Sequence, residues 1–382
     1  MKRETYIKKH WATKTATDIA EVLGMSESAT RRLAKKLGLP KKSEMETPLA
    51  EIISIERETK QNKSKEKDLQ KKYDFLLENY DRIEKELEAL KTKSGNVHKV
   101  PKSVGSTNSE AVAVALWSDW HVEEEVKKGW VGGKNEYNLS IAEQRANECI
   151  RNTVTLLKKE QVAAKIDKMI LWLGGDFITG NIHDETVETA LLLPMEAMIF
   201  AESLIKGGIQ YILDNTEVDL VIPCNGGNHS RITKKQRHST DVGNSLETMM
   251  YYHLAEYFKG NKRVTFILQE GYHLIVPVYE DFKIRFHHGH DIRYGGGIGG
   301  LYIPARKAIG QWQKIEQVQL DCFGHFHNFK MDGDLFICNG SLIGWSPYAV
   351  AIKADFEKPR QTFFLVDKRH GKSVVAPIRI RS

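Results

Sequence analysis

The chain has 382 residues, of which 41% are hydrophobic and 28% are charged, and its net charge is +6. This length leaves room for two or three domains with ordinary hydrophobic cores. The first residues contain no apolar segment typical of a secretory signal, and the longest apolar stretch, 190–201, is interrupted by Pro194 and Glu196. These features argue against secretion and membrane insertion, and we expect a cytoplasmic protein.

The basic charge is concentrated at the amino end, since residues 1–43 hold eleven Lys or Arg and only four acidic residues. Ala20 and Gly24 have the spacing at which a small residue lets two helices approach and a glycine permits the turn between them. The segment resembles the helix-turn-helix DNA-binding family over about 30 residues. The resemblance implies DNA contacts from the second helix, through Thr30, Arg31, Arg32 and Lys35. A basic helical hairpin that contacts protein is the alternative.

Residues 49–93 are predicted to form one long helix. Its apolar residues follow alternate steps of four and three, at Leu69, Tyr73, Leu76, Tyr80, Ile83, Leu87 and Leu90. This heptad repeat is typical of a coiled coil, whereas a helix packed within its own domain usually carries a wider apolar stripe. We therefore expect self-association, as a homodimer, with a single helix packed on the main domain as the alternative. Residues 94–109 are rich in Ser, Gly, Lys and Asn, which predicts a flexible linker.

Apolar strands and helical stretches alternate over residues 110–382. The predicted strands are 111–117, 169–173, 218–223, 264–268, 283–286, 318–323, 335–338 and 362–366. The predicted helices are 140–159, 185–214, 240–258 and 303–315. This alternation predicts an α/β layer structure. The four cysteines form no CxxC pair, and we expect reduced, buried thiols at Cys149, Cys224, Cys322 and Cys338.

Five of these strands run into loops that contain Asp, Asn or His. In chain order the loops carry Asp119 and His121; Asp176; Asn228 and His229; His287, His288 and His290; and His325 and His327. Ligands bind outside the strand ends of open α/β sheets, so we expect the five loops to converge. The side chains of Asp, Asn and His suit hard and borderline divalent metals. Scattered structural histidines are the alternative, but five such loops in succession are hard to obtain by chance.

The order Asp-x-His, Gly-Asp, Gly-Asn-His, His-Gly, Gly-His-x-His resembles the calcineurin-like metallophosphoesterase family over residues 111–345. The resemblance implies a two-sheet β sandwich flanked by helices, with two divalent metals: manganese, with iron, zinc, magnesium or nickel as alternatives. It implies that the first metal is bound by Asp119, His121, Asp176 and His327, and the second by Asp176, Asn228, His288 and His325. His229 would stay off the metals and face the phosphate. His287 or His290 could replace His288.

The sequence departs from the family after the Asn-His pair, where Ser230 and Arg231 stand in place of an acidic residue. This departure leaves the partner of His229 open. Arg231 begins a basic loop that could contact substrate phosphates, with an ordinary solvated basic loop as the alternative. Asn181 and His183 are further predicted substrate contacts, with an ordinary polar loop as an equal alternative.

Two cations about 3.5–4 Å apart can hold a bridging hydroxide and polarise a phosphate. Asp176, as the bridging carboxylate, and His229, as proton donor to the leaving oxygen, are therefore the expected catalytic residues. Together with the basic amino end, this predicts a DNA nuclease. The chain resembles the SbcD-type DNA repair nucleases in its chemistry and phage-encoded phosphoesterases in its mix of parts. The alternatives are a phosphomonoesterase or protein phosphatase, and a DNA-binding regulator with a non-catalytic metal site.

Overall fold

The structure is a computed structural model. It describes residues 2–44, 49–93, 109–294 and 300–381. The chain divides into two compact units, Met1–Val104 and Gly105–Ser382. The predicted linker lies outside the described residues except for its last residue, Ser109. Among the described residues, no helix has both the length and the hydrophobicity needed to cross a lipid bilayer.

The first unit consists of helices. They are α1 (Arg3–His10), α2 (Ala16–Leu23), α3 (Glu27–Lys36), a 3₁₀ turn (Lys42–Glu44) and α4 (Leu49–Lys93). Thr15 caps α2 by accepting from the N–H of Asp18, and Gly24 ends it with a φ of 60° that glycine adopts without strain. Ser26 caps α3 by accepting from the N–H of Ala29. A small core that includes Ile7 and Ile19 holds α1, α2 and α3 together.

Thr30, one of the DNA contacts that the resemblance implies, is not on the exposed side of α3. Its side chain is fully buried, and its hydroxyl donates to the carbonyl oxygen of Ser26 at 3.2 Å. Thr30 and Ala34 are four residues apart and therefore lie on the same, buried face of the helix. Arg32 and Lys35 are exposed. The predicted DNA contact by Thr30 is therefore wrong.

The second unit contains two β-sheets and flanking helices. Its strands are β1 (Ser109–Trp117), β2 (Ala164–Leu173), β3 (Asp219–Cys224), β4 (Val264–Leu268), β5 (Leu274–Tyr279), β6 (Phe282–Phe286), β7 (Leu320–Phe323), β8 (Lys330–Asp332), β9 (Phe336–Cys338), β10 (Arg360–Asp367) and β11 (Gly371–Arg379). Its helices are α5 (Leu139–Glu160), α6 (Asp184–Thr189), α7 (Pro194–Asn215), α8 (Leu246–Phe258), α9 (Tyr302–Trp312) and α10 (Pro347–Ala351). The first sheet has the order β11-β10-β1-β2-β3-β4, and the second has the order β5-β6-β7-β9-β8.

The two sheets pack face to face, and β1 shows how the layers form. Its odd-numbered residues, such as Ala113 and Ala115, pack in the core between the first sheet and helices α5, α7 and α8. Its even-numbered residues, such as Val114, pack with Ile284 and Phe286 of the second sheet. Helix α9 covers the other face of the second sheet. Side chains alternate along a strand, so an apolar run like β1 can be buried on both sides.

Two helices differ from their predicted extents. The predicted helix 185–214 is interrupted, because α6 ends at Thr189 and α7 begins at Pro194. Proline lacks the N–H that a continuous helix requires and is favoured in the first turn. The predicted helix 240–258 begins later, at Leu246. The four cysteines are free and buried, as predicted.

Candidate metal centre

The five predicted loops meet at one end of the sandwich. Strands β1, β2 and β3 are parallel, and so are β6, β7 and β9, so their carboxyl ends lie along a common edge in each sheet. The N–H of Asp119 donates to the carbonyl oxygen of Gly175 at 2.9 Å within the first sheet. The bonds that join the two sheets include His288 Nδ1 to the carbonyl oxygen of Gly174 at 2.7 Å, and the N–H of His325 to Asp119 Oδ1 at 2.9 Å.

The first candidate metal-binding cluster consists of Asp119, His121 and His327. One ligand atom from each residue lies within 4.8 Å of the others. His121 Nε2 is 3.2 Å from His327 Nε2, which in turn is 3.5 Å from Asp119 Oδ1. Two imidazole nitrogens that face each other at this distance require a proton or a cation between them. This donor set suits a borderline divalent ion.

The second cluster consists of Asp176, His288 and His325, whose ligand atoms also lie within 4.8 Å of one another. His288 Nε2 is 2.8 Å from Asp176 Oδ2. Because His288 Nδ1 donates to a backbone carbonyl, Nε2 is the ring nitrogen available for a metal. Among the described residues, these two clusters are the only groups of three or more His, Cys, Asp or Glu side chains whose ligand atoms lie close enough together to hold a metal ion.

Asn228 is positioned to complete the second cluster. Its side-chain oxygen is buried and has no hydrogen-bond partner among the described residues. The residues on either side of Asn228 lie close to the carboxylate of Asp176. The N–H of His229 donates to Asp176 Oδ1 at 2.9 Å, and Gly227 is so near that an added Cβ would lie 2.0 Å from the same oxygen. Buried polar atoms almost always have partners, and a metal ion would provide one here.

The backbone is strained at the clusters. Among the described residues, six non-glycine residues have a positive φ, and five of them are cluster members: Asp119 (58°), His121 (48°), Asp176 (52°), His325 (68°) and His327 (53°). Each such residue costs on the order of 1–3 kcal/mol and persists where the surrounding structure imposes it. Strain concentrated at the cluster residues indicates that these loops are shaped by a functional requirement.

The electrostatics of the second cluster favour a cation. Burial alone would raise the pKa of Asp176, but nearby His288, His229 and His121 hold it well below its usual value. Burial alone would lower the pKa of His288, but the Asp176 carboxylate outweighs burial and raises it to about 10. The metal-free pair is therefore an imidazolium beside a carboxylate, and a bound metal would replace the proton.

Glu247, which the sequence interpretation did not single out, fixes two of the loops. It is fully buried in α8 and uses both carboxylate oxygens. Oε1 accepts from the N–H of Phe177 at 2.7 Å, and Oε2 accepts from the N–H of Gly227 at 2.8 Å and the hydroxyl of Ser230 at 3.0 Å. Ser230, which stands where the sequence resemblance led us to expect an acidic residue, thus contacts an acidic residue from a helix. No motif signals this role, because Glu247 lies in the first turn of a helix and not in a loop that follows a strand.

His229 lies beside the first cluster without joining it. Its ring centroid is 4.9 Å from that of His121. His229 Nδ1 is 2.8 Å from the carbonyl oxygen of Thr179, so Nδ1 carries the hydrogen and Nε2 remains for a substrate. Thr179 also hydrogen-bonds His121 Nδ1 through its hydroxyl at 3.0 Å. Its N–H donates to Glu123 Oε1 at 2.7 Å. Thr179 is therefore the partner of the His229 ring that sequence reasoning left open, and Glu123 in turn holds Thr179.

The other histidines of the fourth loop lie outside the clusters. The ring of His287 stacks on Phe323 at 5.2 Å, in the interior of the second sheet. The ring of His290 is 5.5 Å from that of His288, and its Nε2 is 3.2 Å from Gln236 Nε2. The structure therefore brings His288 into the second cluster and not its two alternatives.

The three predicted substrate contacts have different surroundings. Arg231 donates through Nη1 to the carbonyl oxygen of Asn228 at 2.6 Å, so it braces the loop that carries Asn228. His183 is exposed, and its ring lies 5.8 Å from that of His229. Asn181 is exposed on the same loop. His183 is thus placed beside the clusters, whereas Arg231 has a structural contact.

The fold and the site define a two-sheet α/β protein with two adjacent candidate metal-binding clusters. No family model and no curated protein sequence matches this chain. Among proteins of known structure, a dimetal phosphatase from Danio rerio matches with a TM-score of 0.33 and 10% sequence identity. The match covers 71% of this chain and 99% of the phosphatase. At this low similarity, the functional proposal depends on the residues of this chain alone.

Proposed function

We propose that this chain is a dinuclear metal-dependent phosphoesterase, and specifically a nuclease that hydrolyses phosphodiester bonds in DNA. The observation that carries the proposal is the pair of clusters built by strained loops at one end of the sandwich. Asp119, His121 and His327 would hold one divalent ion, and Asp176, His288 and His325, with Asn228, the other. When bound, such ions polarise phosphate oxygens and lower the pKa of water.

His229 supports the reaction from beside the metals. Its Nδ1 is committed to the Thr179 carbonyl, so its Nε2 would hydrogen-bond a phosphate oxygen or the leaving oxygen. Burial lowers the pKa of His229, although Asp176 opposes this effect. Asp176 accepts from the N–H of His229, which keeps the ring in place relative to the second cluster. His229 is therefore the residue proposed to transfer a proton or donate a hydrogen bond.

A basic loop beside the site favours a substrate with several phosphates. Lys234, Lys235 and Arg237 are exposed, and none has an ion-pair partner among the described residues. The loop is fixed next to the second cluster, because His238 lies 3.7 Å from Asp291 and Gln236 contacts His290. Unpaired cations next to a phosphate-cleaving centre suit the flanking phosphates of a polynucleotide better than a lone phosphomonoester.

The amino-terminal unit is proposed to target the enzyme to DNA. Arg32 and Lys35 are exposed on α3. Arg31 is also exposed, but it forms an ion pair with Glu27 at 2.7 Å. The second helix of a helix-turn-helix can contact the DNA backbone through exposed basic residues that have no ion-pair partner. Charge reversal at Arg32 and Lys35 would weaken DNA binding without affecting hydrolysis of a small phosphodiester.

The test compares substrates in the presence of Mn²⁺: labelled single- and double-stranded DNA, a small chromogenic phosphodiester and a chromogenic phosphomonoester. We expect hydrolysis of DNA and of the small diester, loss of both in Asp176→Asn, and full activity in Asp184→Asn, an exposed control. Lys235→Glu should slow DNA hydrolysis and leave the small diester unchanged. Hydrolysis of the monoester alone would instead identify a phosphomonoesterase or protein phosphatase. Metal binding without any hydrolysis would identify a regulator with a non-catalytic metal site.

A further inference from the structure

Helix α4 exposes its apolar residues along its described length. The helix has 45 residues, and every described side chain from 57 to 88 except Asn79 is exposed. The exposed fractions are 72% for Leu69, 60% for Tyr73, 65% for Leu76, 65% for Tyr80, 55% for Ile83 and 48% for Leu87. Most of the stability of a protein helix comes from packing of its apolar face, so a long helix with this face in water requires a partner.

Six of the described, exposed apolar residues of α4 form one narrow seam, and the other two, Phe75 and Leu77, lie beside it. Steps of four and three place Leu69, Leu76 and Ile83 at heptad position d, and Tyr73, Tyr80 and Leu87 at position a. A seam of a and d positions faces another helix of the same repeat, because 3.5 residues per turn keep the seam continuous in a left-handed supercoil. The partner that the pattern fits is therefore a helix with the same heptads.

The flanking charges identify the partner as a second copy of α4 and fix its direction. In a parallel pair in register, position g of one helix faces position e of the next heptad of the other. Glu58 then faces Lys63, and Glu86 faces Lys91. One facing pair, Glu51 with Glu56, carries like charges. The remaining pairs carry none: Lys65 with Gln70, Lys72 with Leu77, and Asn79 with Glu84.

The antiparallel arrangement is disfavoured by the same positions. When two copies overlap fully over 52–90 in opposite directions, position g faces position g. Glu58 would then face Glu86, and Lys72 would face Lys72 of the other copy. Like charges that face each other across a coiled-coil seam are repulsive.

We infer that α4 pairs in parallel and in register with α4 of a second copy of this chain, so that the protein is a homodimer. A parallel pair brings the amino ends of the two α4 helices together. The basic segments 1–43 of both copies precede that same end in the sequence. The dimer thereby provides two copies of α3 to one DNA site, which would have two-fold symmetry.

The test measures the mass of the full-length protein by analytical ultracentrifugation, in the wild type and in two adjacent variants. Leu76→Glu places a charge on the seam, and Phe75→Glu places the same charge one residue away, at an exposed non-seam position (66% exposed). We expect a dimer for the wild type and for Phe75→Glu, and a monomer for Leu76→Glu. Glutamate is a good helix former, so circular dichroism should show both variants folded.

The direction of pairing is tested by oxidation of Ile83→Cys. The four native cysteines are buried, and a Cys at position d in a parallel dimer meets its own counterpart. We expect a disulfide-linked dimer from Ile83→Cys and none from Phe75→Cys. A monomeric wild type, or equal dissociation of both glutamate variants, would overturn the coiled-coil dimer. Failure of Ile83→Cys to cross-link in a protein that is dimeric would overturn the parallel direction. Hydrolysis of a small phosphodiester should be unchanged in Leu76→Glu, so this inference and the proposed function fail independently.

Discussion

Two buried glutamates next to the metal-binding loops should respond differently to the same substitution. Glu247 accepts backbone N–H groups on both of its oxygens, from Phe177 and from Gly227. Glu123 uses only Oε1, which accepts from the N–H groups of Thr179 and Gly180, whereas its Oε2 is buried without a partner. Glutamine retains one acceptor oxygen. It can therefore replace Glu123 with both backbone bonds intact, but at Glu247 its amide must face an N–H donor.

The expected difference in stability between the two variants follows from the number of hydrogen bonds that each variant loses. Burial raises the pKa of both carboxyls to about 7, so the gain from removal of a buried charge is shared and cancels in the comparison. Glu247→Gln additionally leaves one backbone N–H without an acceptor, which costs about 1–3 kcal/mol. We expect Glu247→Gln to be less stable than Glu123→Gln by about 2 kcal/mol, or roughly 4–8 °C in Tm.

The same comparison should show an effect on metal affinity. Phe177 follows Asp176 in the chain and Gly227 precedes Asn228, so Glu247 holds two loops that carry ligands of the second cluster. Loss of a group that orients metal ligands typically weakens metal binding about 10–100-fold. Thermal unfolding of the metal-free variants and calorimetric titration with Mn²⁺ measure the two effects. Equal stability and equal metal affinity of the two variants would refute this assignment of Glu247.

Three further predictions concern the site itself. Gly227→Ala should abolish binding of the second metal, because the added Cβ would lie 2.0 Å from Asp176 Oδ1. Gly226→Ala is the control and should bind metal normally, because the nearest atom to its Cβ is Ser245 Oγ at 3.3 Å, and a metal titration of both variants measures the difference. His229→Ala should keep its metals and lose about 10²–10⁴-fold in turnover of a small phosphodiester, and full activity in a metal-loaded variant would remove His229 from the mechanism. Because the metal-free pKa of His288 is raised to about 10, His288 must release a proton when metal binds, and metal affinity should rise about tenfold per pH unit between pH 7 and 9. Calorimetry in buffers of different ionisation enthalpy should detect the released proton, and metal affinity that does not change with pH would contradict the prediction.

The sequence was sufficient to predict the central strands, and the strands that it missed are at sheet edges. β1 and β2 are buried near the middle of the first sheet, and burial on both faces gives a continuous apolar run. β5, β8 and β11, which were not predicted, all lie at the edge of a sheet. Edge strands tolerate proline and polar residues, as β11 does, and therefore carry a weaker signal.

Cluster members were visible in the sequence because each lies within four residues of the end of a strand, and the strand ends converge. The residues that hold them were not visible. Thr179 acts mainly through backbone atoms, which no residue type reveals. Glu247 reaches Phe177 from 70 positions further along the chain, and only the packing of α8 against the loops brings them together. The burial of Thr30 was missed for a similar reason, because threonine suits either face of a helix.

The number of metal ions bound per chain tests the central claim most directly. After equilibration with Mn²⁺ and removal of excess ions, elemental analysis of the wild-type protein should find two ions per chain. Asp119→Ala should lose the ion of the first cluster, and His288→Ala should lose the ion of the second. Wild-type protein that binds no metal, or variants that each retain two ions, would show that these clusters are not a dinuclear centre.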